Sequence, residues 1–296
     1  MRFLLIRGSA ANAALLAAAC GAVAATGQAP GVTLMPAVVV AGSPELIRVE
    51  LPASATMEGD WLGRKLEFFR GRDGEAWYAL AGVDVGAATG PSALRITAHQ
   101  ANGTTMDLSR SVEIHPAHYR TETLAVAPKF VEPGAEELAR IKAEQELKGK
   151  VFSSSAAEPL WSGNFRAPVR AAATDSFGTR RTYNGELKSI HQGMDFRAAT
   201  GTTVRAGNGG VVVLARPLYY EGNCVAIDHG LGLFTVSMHL SRIDVHEGEK
   251  VSLGQRIGLS GATGRVTGPH LHWAVRWENA YLDPAKMLRM DLSKVR

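Results

Sequence analysis

The sequence predicts a mainly β protein, with an N-terminal antiparallel β-sandwich, a short linking helix and a C-terminal antiparallel β domain. Apolar and polar residues alternate with a period of two in many short runs, which is the pattern of half-buried strands. Turns with glycine separate these runs, and helical spacing is confined to one charge-rich stretch at 134–150. The predicted division is a signal peptide at 1–29, the sandwich at 30–117, the linker at 118–160 and the C-terminal domain at 161–290.

The composition is that of a folded globular protein with ordinary cores. Of 296 residues, 46% are hydrophobic and 20% are charged, and the formal net charge is +4. The Lys and Arg residues form no cluster and no basic helix in the sequence, so nucleic acid is not expected as a partner. A mildly positive charge suits an anionic partner such as a cell-wall polymer, although solubility alone also explains it.

The N-terminal segment has the features of an export signal. Arg2 and Arg7 provide a positive start, an Ala/Leu-rich stretch covers 13–25, and Ala22-Val23-Ala24 offers a small-x-small cleavage site. Gly21 interrupts an apolar stretch that is mostly alanine, so a cleaved signal is favoured over a membrane-spanning anchor. The prediction is therefore an exported protein of the periplasm or cell envelope.

The two cysteines lead to different predictions. Cys20 follows Leu16-Ala17-Ala18-Ala19, which only loosely resembles a lipobox, so lipid attachment to a membrane through Cys20 ranks second to simple cleavage. Once the signal is removed, Cys224 has no partner for a disulfide within the chain. Its place in a short strand pattern predicts a structural thiol and not a nucleophile.

Residues 30–117 have the pattern of a small sandwich. Alternation is clear at 47–51 and 94–98, and Asp73-Gly74 and Asn102-Gly103 are predicted to form type I′ hairpin turns. We interpret this region as a spacer or docking domain. Its three histidines have no metal-ligand spacing and are predicted to lie at strand ends or on the surface: His99, His115 and His118.

The linker is predicted to contain a helix from Gly134 to Lys150, after Pro128 and Pro133. Three i,i+4 pairs place the acid before the base, the favourable order, and one of them joins Glu144 to Lys148. The pattern predicts a solvent-exposed helix that joins two domains and takes no part in catalysis. Its apolar stripe is thin and consists of Leu138, Ile141 and Leu147.

The C-terminal domain is predicted to be rich in strands, and 270–277 is the most informative of them. Leu271, Trp273, Val275 and Trp277 share one face, which is suited to a core. The opposite, polar face begins with two histidines, His270 and His272. Two imidazoles held in this way are candidates for a metal site or for an acid/base pair. Five further strands are predicted at 202–206, 210–215, 223–228, 233–240 and 256–260.

A third histidine is predicted to reach the same place from the run 233–240. Alternation there assigns Phe234, Val236, Met238 and Leu240 to an apolar face. His239 then belongs to the more polar face, together with Leu233, Thr235 and Ser237. If this strand and 270–277 lie in one sheet with their polar faces aligned, the three imidazoles meet.

His191 and Asp195 are the remaining candidates. Their spacing of four puts them on one face of a strand with Cα atoms about 13 Å apart, near the limit of what two side chains and a metal can span. A bend at Gly193 would bring them together, and the missing side chain there would leave room for an ion. With a further histidine they would make a three-ligand Zn²⁺ site with one position open.

Each histidine also has an ordinary structural interpretation. A lone histidine at a strand end is usually a hydrogen-bonding or surface residue, and this interpretation is favoured for His229 and His246. For the pair His191 and Asp195 the two interpretations are balanced. Taken together with the histidines of 239, 270 and 272, a metal site is the favoured interpretation.

The C-terminal region resembles the LytM-type, M23 family of zinc metallopeptidases over about 165–277. The resemblance is specific because several motifs occur in the right order. It departs at Ser237-Met238, where many relatives have an aromatic residue and a glycine. The matching pieces are Phe177-Gly178-Thr179-Arg180, His191-Gln192-Gly193-Met194-Asp195, Gly201-Thr202-Thr203-Val204, 210–212, 222–230, Ser237-Met238-His239-Leu240, 251–258 and 263–273.

The resemblance implies a mostly antiparallel fold with a groove across the sheet and one Zn²⁺ per chain on its floor. It implies His191, Asp195 and His272 as metal ligands, and His239 and His270 as catalytic histidines that do not bind the metal. It also implies hydrolysis of peptide cross-links of bacterial peptidoglycan, whose peptides would be the partner. Which of His239 and His270 is the general base is left open, and so is the oligomeric state.

A second function on the same fold is a non-catalytic LytM-type activator of other cell-wall hydrolases. Relatives of that kind have lost the metal, so the discriminating feature is whether the ligands are intact. All five residues that the resemblance implies are present, which favours the enzyme: His191, Asp195, His239, His270 and His272.

Overall fold

The structure is a computed structural model that describes residues 31–51, 56–72, 74–124, 133–183, 186–293 and 295. The predicted signal peptide and Cys20 lie outside the described residues. In the part of the chain that is described, neither helix combines the length and apolarity needed to cross a membrane. The helices are α1 (Ala135–Phe152) and α2 (Pro284–Met287).

The predicted mainly β class is confirmed. The described strands are β1 (Val32–Met35), β2 (Val39–Val40), β3 (Pro44–Val49), β4 (Thr56–Trp61), β5 (Arg64–Glu67), β6 (Phe69–Arg70), β7 (Trp77–Gly82), β8 (Gly90–His99), β9 (Thr105–His115), β10 (Thr121–Leu124), β11 (Ala173–Asp175), β12 (Arg180–Tyr183), β13 (Glu186–Ile190), β14 (Met194–Phe196), β15 (Thr203–Arg205), β16 (Gly210–Leu218), β17 (Gly222–Asp228), β18 (Leu233–Leu240), β19 (Arg242–Ile243), β20 (Lys250–Val251), β21 (Arg256–Leu259), β22 (Leu271–Trp277) and β23 (Ala280–Leu282).

The N-terminal strands form two sheets, with the orders β1-β3-β7-β6 and β2-β9-β8-β4-β5. All neighbours are antiparallel except β2 and β9, which are parallel. The apolar residues of the alternating runs are buried between the sheets, including Ile47, Leu94 and Ile96. Gly74 and Gly103 have the positive φ expected of them, but their loops are longer than the predicted two-residue turns, since β8 ends at His99 and β9 begins at Thr105.

The linker helix is less solvent-exposed than its sequence predicts. Ile141 is buried, and Phe152, beyond the predicted end, packs edge-to-face on Phe234 of β18 with ring centroids 5.1 Å apart. The predicted pair of Glu144 with Lys148 is wrong. Glu144 accepts from Arg140 at 2.7 Å instead, and Lys148 forms an ion pair with Glu221 in the C-terminal domain. Packing of the helix on the C-terminal domain therefore gives Lys148 a partner outside the helix, while Arg140 and Glu144 still pair along its surface.

The C-terminal domain is built on an antiparallel sheet with the order β11-β14-β22-β18-β17-β16-β20, in which β23 also pairs with β22. One face packs Leu271, Trp273, Val275 and Trp277 into the main core, as predicted. The other face carries Phe234, Val236 and Ala274 under α1, in a second apolar cluster. That second face also carries the candidate site, because Ala274 and His272 are two apart on β22.

The N-terminal sandwich and the C-terminal domain pack directly on each other. Phe69 meets Trp161 edge-to-face with ring centroids 5.8 Å apart, and the Tyr281 backbone N–H donates to Asp84 at 3.0 Å. The chain also crosses between them, since β10 pairs in parallel with one edge of β12, whose other edge pairs with β13. The predicted domain boundaries stay a prediction, but the sandwich is in contact with the rest and is more than a spacer.

Candidate metal centre

Two neighbouring strands bring the predicted metal ligands together. Asp195 of β14 lies directly opposite His272 of β22, and residues opposite each other in an antiparallel pair project from the same face. His191 lies just before β14, where its backbone N–H donates to the Thr179 carbonyl at 2.8 Å. All three side chains are buried, and they form the one cluster of potential ligands found among the described residues.

The three ligand atoms form a small triangle. His272 Nδ1 lies 2.8 Å from Asp195 Oδ1 and 2.9 Å from His191 Nε2, and His191 Nε2 lies 3.1 Å from Asp195 Oδ1. Ligands of a tetrahedral Zn²⁺ with bonds of about 2.0 Å would be about 3.3 Å apart, so the triangle has nearly the size that this ion requires.

The chemistry of these atoms fits a cation better than it fits a proton. His191 Nδ1 must carry a hydrogen because it donates to the Ser176 carbonyl at 3.0 Å, so His191 Nε2 offers a lone pair. A proton on His272 Nδ1 could form a hydrogen bond to only one of the other two atoms, Asp195 Oδ1 or His191 Nε2, at a time. It would leave the His191 lone pair facing a carboxylate oxygen, whereas a metal ion at the centre accepts all three lone pairs.

Gly193 is needed at this point, though not for the predicted reason. A Cβ there would lie 2.8 Å from the Trp273 carbonyl oxygen and closer still to the His272 ring. The missing side chain therefore makes room for the imidazole of a ligand and not for the ion. His191 and Asp195 also do not share one strand, since β13 ends at Ile190 and β14 begins at Met194.

His239 reaches the site by a route that alternation did not predict. Met238 lies opposite His272, so the face of Phe234, Val236 and Met238 is the site face. The prediction that the Thr235 and Ser237 face is the site face is wrong, and strict alternation would have turned His239 into the core.

A β-bulge corrects the direction of the His239 side chain. The β17–β18 register pairs Asn223 with Leu240 but Val225 with Ser237, so Met238 and His239 together face one residue of β17. His239 has φ +62°, a left-handed conformation that is uncommon outside glycine. Its ring centroid lies 4.9 Å from that of His270, so the predicted pair of further histidines is brought together beside the cluster.

The two further histidines share one tautomer. His239 Nδ1 donates to the Thr263 carbonyl at 2.9 Å, and His270 Nδ1 donates to the Gly268 carbonyl at 2.9 Å. Carbonyls can only accept, so Nδ1 of each ring carries a hydrogen, and the lone pair of the neutral ring is on Nε2. Burial, reinforced by the neighbouring His272 and His270, lowers the pKa of His239 to about 3, which keeps its ring neutral at physiological pH.

Asp195 is held in its charged form. Burial raises the pKa of its carboxyl, but the contacts with the His191 and His272 rings outweigh burial, and the pKa lies well below its usual range. The second oxygen, Oδ2, accepts from Arg181 of β12 at 2.9 Å. Sequence reasoning missed Arg181, although it follows directly on the motif Phe177-Gly178-Thr179-Arg180.

The cluster lies in a groove of about 500 Å³. Besides the five predicted residues, the lining includes Lys148 of α1 and Glu122 of β10, both from outside the predicted C-terminal domain. Tyr220, Glu221 and Met238 also contribute. The groove is therefore walled in part by the linker, which the sequence pattern presented as a passive connection.

The residues predicted to be structural lie away from the groove. His229 is fully buried, where Nδ1 meets the Gly209 carbonyl at 2.6 Å and Nε2 meets Thr235 at 2.8 Å, and burial lowers its pKa to about 4. His246 is exposed beside Glu249. Cys224 is buried, and burial raises the pKa of its thiol, as expected of a structural cysteine and not of a nucleophile.

A buried cluster of three potential ligands with two further imidazoles beside it, on the floor of a groove, defines a class, that of the metal-dependent hydrolases. Residues 189–284 match the sequence profile of peptidase family M23. The C-terminal domain therefore belongs to peptidase family M23.

Three comparisons put this domain in context. The chain is 57% identical over 83 residues to peptidoglycan DD-endopeptidase ShyA of Vibrio cholerae, which is 28% of this chain and 19% of that protein. It is 42% identical over 125 residues to peptidoglycan DD-endopeptidase ShyB of the same organism, or 41% of this chain and 29% of that protein. The matches thus span less than a third of either curated relative.

A solved structure resembles a much larger part of the chain. A crystal structure from Pseudomonas aeruginosa that carries the name peptidase M23 aligns with 81% of this chain and 95% of its own, with a TM-score of 0.60 and 27% identity. The similarity therefore extends beyond residues 189–284 to the N-terminal part of the fold.

Proposed function

We propose that this protein is a zinc-dependent endopeptidase that hydrolyses peptide cross-links of bacterial peptidoglycan. The observation that carries the proposal is the triangle of His191 Nε2, Asp195 Oδ1 and His272 Nδ1, with two further imidazoles beside it. The substrate class is supported by the names of the relatives, which describe peptidoglycan DD-endopeptidases. Export to the periplasm or cell envelope belongs to the same proposal, because that is where such a substrate occurs.

The proposed metal site uses neutral and anionic donors that are already prepared. His191, Asp195 and His272 would hold one zinc ion, and the Nδ1–H bond of His191 to Ser176 fixes the tautomer that presents Nε2 to it. A bound zinc ion supplies Lewis-acid chemistry, polarising a carbonyl and lowering the pKa of water. Arg181 holds the second oxygen of Asp195, so that carboxylate presents Oδ1 in one orientation.

The two further histidines are proposed to move protons. Each ring donates its Nδ1–H to a carbonyl and so turns Nε2 towards the cluster, and the low pKa of His239 keeps its Nε2 lone pair available at neutral pH. One ring would accept a proton from the attacking water, and the other would stabilise the developing oxyanion or protonate the leaving amine. The two rings have equivalent donors and acceptors, so the assignment between them is an experimental question.

The test is digestion of purified peptidoglycan by the zinc-loaded protein, with mass spectrometry of the released muropeptides. We expect cross-linked dimers to disappear and monomers to accumulate, which reports both activity and the bond that is cut. His272→Ala is the matched inactive control, with zinc measured in the same samples. If wild type and His272→Ala release the same products, or if the wild type releases none while holding zinc, the proposal is wrong.

A further inference from the structure

The geometry points to Lys148 and Glu221 as positioning residues for His239. The linker helix α1, which carries Lys148, would then help to orient a side chain of the active site. This inference rests on the proposed function, because it assigns a role to residues that act through His239. Lys148 belongs to α1, outside the residues 189–284 that match the peptidase family.

His239 depends on two carbonyl groups for its orientation. Its backbone N–H donates to the Glu221 carbonyl at 2.8 Å, and its ring Nδ1 donates to the Thr263 carbonyl at 2.9 Å. Because His239 lies in a bulge with a left-handed backbone, the regular ladder of the sheet does not fix its direction. A movement of either carbonyl would therefore turn the ring away from His270 and His272.

The segments that carry the Glu221 and Thr263 carbonyls are held together by direct contacts. Glu221 lies in the connection between β16 and β17, which continues into Gly222 and Asn223. Asn223 N–H donates to Thr263 Oγ1 at 2.9 Å, and Gly222 packs so closely on Thr263 that a side chain would not fit. The position of the β16–β17 connection thus determines the position of both groups that hold His239.

Helix α1 fixes this connection from outside the sheet. Glu144 Oε2 accepts from the Tyr219 N–H at 2.7 Å, and Lys148 forms its ion pair with Glu221 one turn further along the helix. The helix itself is anchored by Phe152 on Phe234. Two side chains spaced by four residues on one face of a helix therefore hold both ends of a three-residue segment.

The ion pair between Lys148 and Glu221 is largely shielded from solvent. The side chains of Lys148 and Glu221 are 27% and 13% exposed, and Glu221 Oε2 has no hydrogen-bond partner among the described residues, so Lys148 supplies the compensation at Oε1. Removal of the ammonium group would leave a carboxylate in a poorly solvated place. The expected response is movement of the β16–β17 connection towards water, and His239 would move with it.

The decisive experiment compares four full-length, zinc-loaded proteins: wild type, Lys148→Met, Lys148→Arg and the control Lys142→Met, which changes an exposed lysine of the same helix. We expect Lys148→Met to lower kcat by about tenfold to a hundredfold on a cross-linked peptide, as small displacements of catalytic groups do. KM, zinc content and Tm should change little, Lys148→Arg should recover most of kcat, and Lys142→Met should match the wild type. Higher KM with unchanged kcat would instead mean that Lys148 contacts substrate, and would overturn the inference.

A second readout separates this inference from the proposed function. The ring resonances of His239, assigned by their loss in His239→Gln, should shift in Lys148→Met and in Glu221→Gln but not in Lys142→Met. That result would support the positioning role even if the wild type cleaved no peptidoglycan, in which case only the proposed function would fail. Unshifted His239 resonances in both Lys148→Met and Glu221→Gln would overturn the positioning role even in an active enzyme.

Discussion

Asp195 and Glu45 are both buried carboxyl groups, and their surroundings have opposite effects on their charge. Burial raises the pKa of Asp195, but two imidazoles in contact with it hold that pKa well below the usual range, and the Arg181 guanidinium contacts its second oxygen. Glu45, in β3 of the sandwich, accepts from Ser43 at 2.5 Å and lies near the charge of Lys286. Burial dominates there and raises the pKa of Glu45 to about 8.

The difference lies in the partners and not in the burial. A carboxylate that is merely buried becomes neutral near physiological pH, whereas one with donors at both oxygens stays charged. A negative oxygen that also touches two imidazole nitrogens is a place for a cation, and a protonated carboxyl at a domain contact is a structural group. The comparison therefore separates the candidate metal centre from the rest of the buried polar residues.

The largest effect is expected when the charge of Asp195 is removed. Asp195→Asn keeps the shape but loses the anionic oxygen, so zinc affinity should fall by more than the roughly 10- to 100-fold typical of losing an outer partner, and turnover should vanish. Zinc content after dialysis and muropeptide release measure this. Glu45→Gln is the control and should keep both properties. An Asp195→Asn protein that retains one zinc per chain would refute the ligand assignment.

The next largest effect is expected from a side chain at Gly193. Gly193→Ala would push a methyl group against the His272 ring and the Trp273 carbonyl, separating His272 from Asp195. We expect weaker zinc binding and a loss of about 1–3 kcal/mol in the free energy of unfolding, as in overpacked cores. Titration with zinc and urea unfolding measure these effects.

The control for this substitution is Gly149→Ala in α1, where a Cβ would meet nothing within 4 Å. A methyl group at that place should stabilise the helix slightly and leave zinc binding unchanged. Equal zinc affinity in Gly193→Ala and the wild type would mean that the close approach of β14 and β22 is not required for the site.

A smaller effect is expected from Arg181, which holds Asp195 without being a ligand. Arg181→Met leaves Asp195 Oδ2 without its charged donor, and we expect zinc affinity to fall by about 10- to 100-fold. Competition with a chelator measures it. Arg180→Met changes the exposed neighbour on the same strand and should leave the affinity unchanged. If the two variants bind zinc alike, Arg181 does not orient the carboxylate.

The ligand set could be predicted from the sequence because it is carried by short motifs with fixed spacing. His270 and His272 follow from alternation along one strand, and the tryptophans of that strand do reach the core. The route of His239 could not be predicted. A bulge depends on the register between β17 and β18, and register is a property of two strands that one strand's pattern does not contain.

The role of the linker was missed for a related reason. The helical pattern predicted an end at Lys150, but Phe152 completes the apolar face that packs on β18. Helix boundaries are the least certain part of a sequence pattern, and here two residues decide between an exposed helix and a docked one. Lys148 and Glu221 are 73 residues apart in sequence, so no local spacing links them.

The prediction that tests the Glu45 half of the comparison does not involve the metal centre, and it is a dependence of stability on pH. The pKa of Glu45 is raised from 4.5 to about 8, so between these values the folded protein holds a proton that the unfolded chain releases. The stabilisation is full below pH 4.5 and is lost as the pH rises towards 8. Over that whole interval it amounts to a decrease of about 5 kcal/mol in the free energy of unfolding.

Glu45→Gln is neutral at every pH and should remove this decrease. Urea unfolding of the zinc-loaded proteins between pH 5 and 9 measures it. The free energy of unfolding of Glu45→Gln should increase relative to that of the wild type as the pH rises. Parallel curves for the two proteins would mean that Glu45 ionises at its ordinary pKa, and that donors other than Ser43 and Lys286 stabilise its charge. In that case the partners of the two carboxyl groups would not distinguish them, and the low pKa of Asp195 would be weaker support for a cation site.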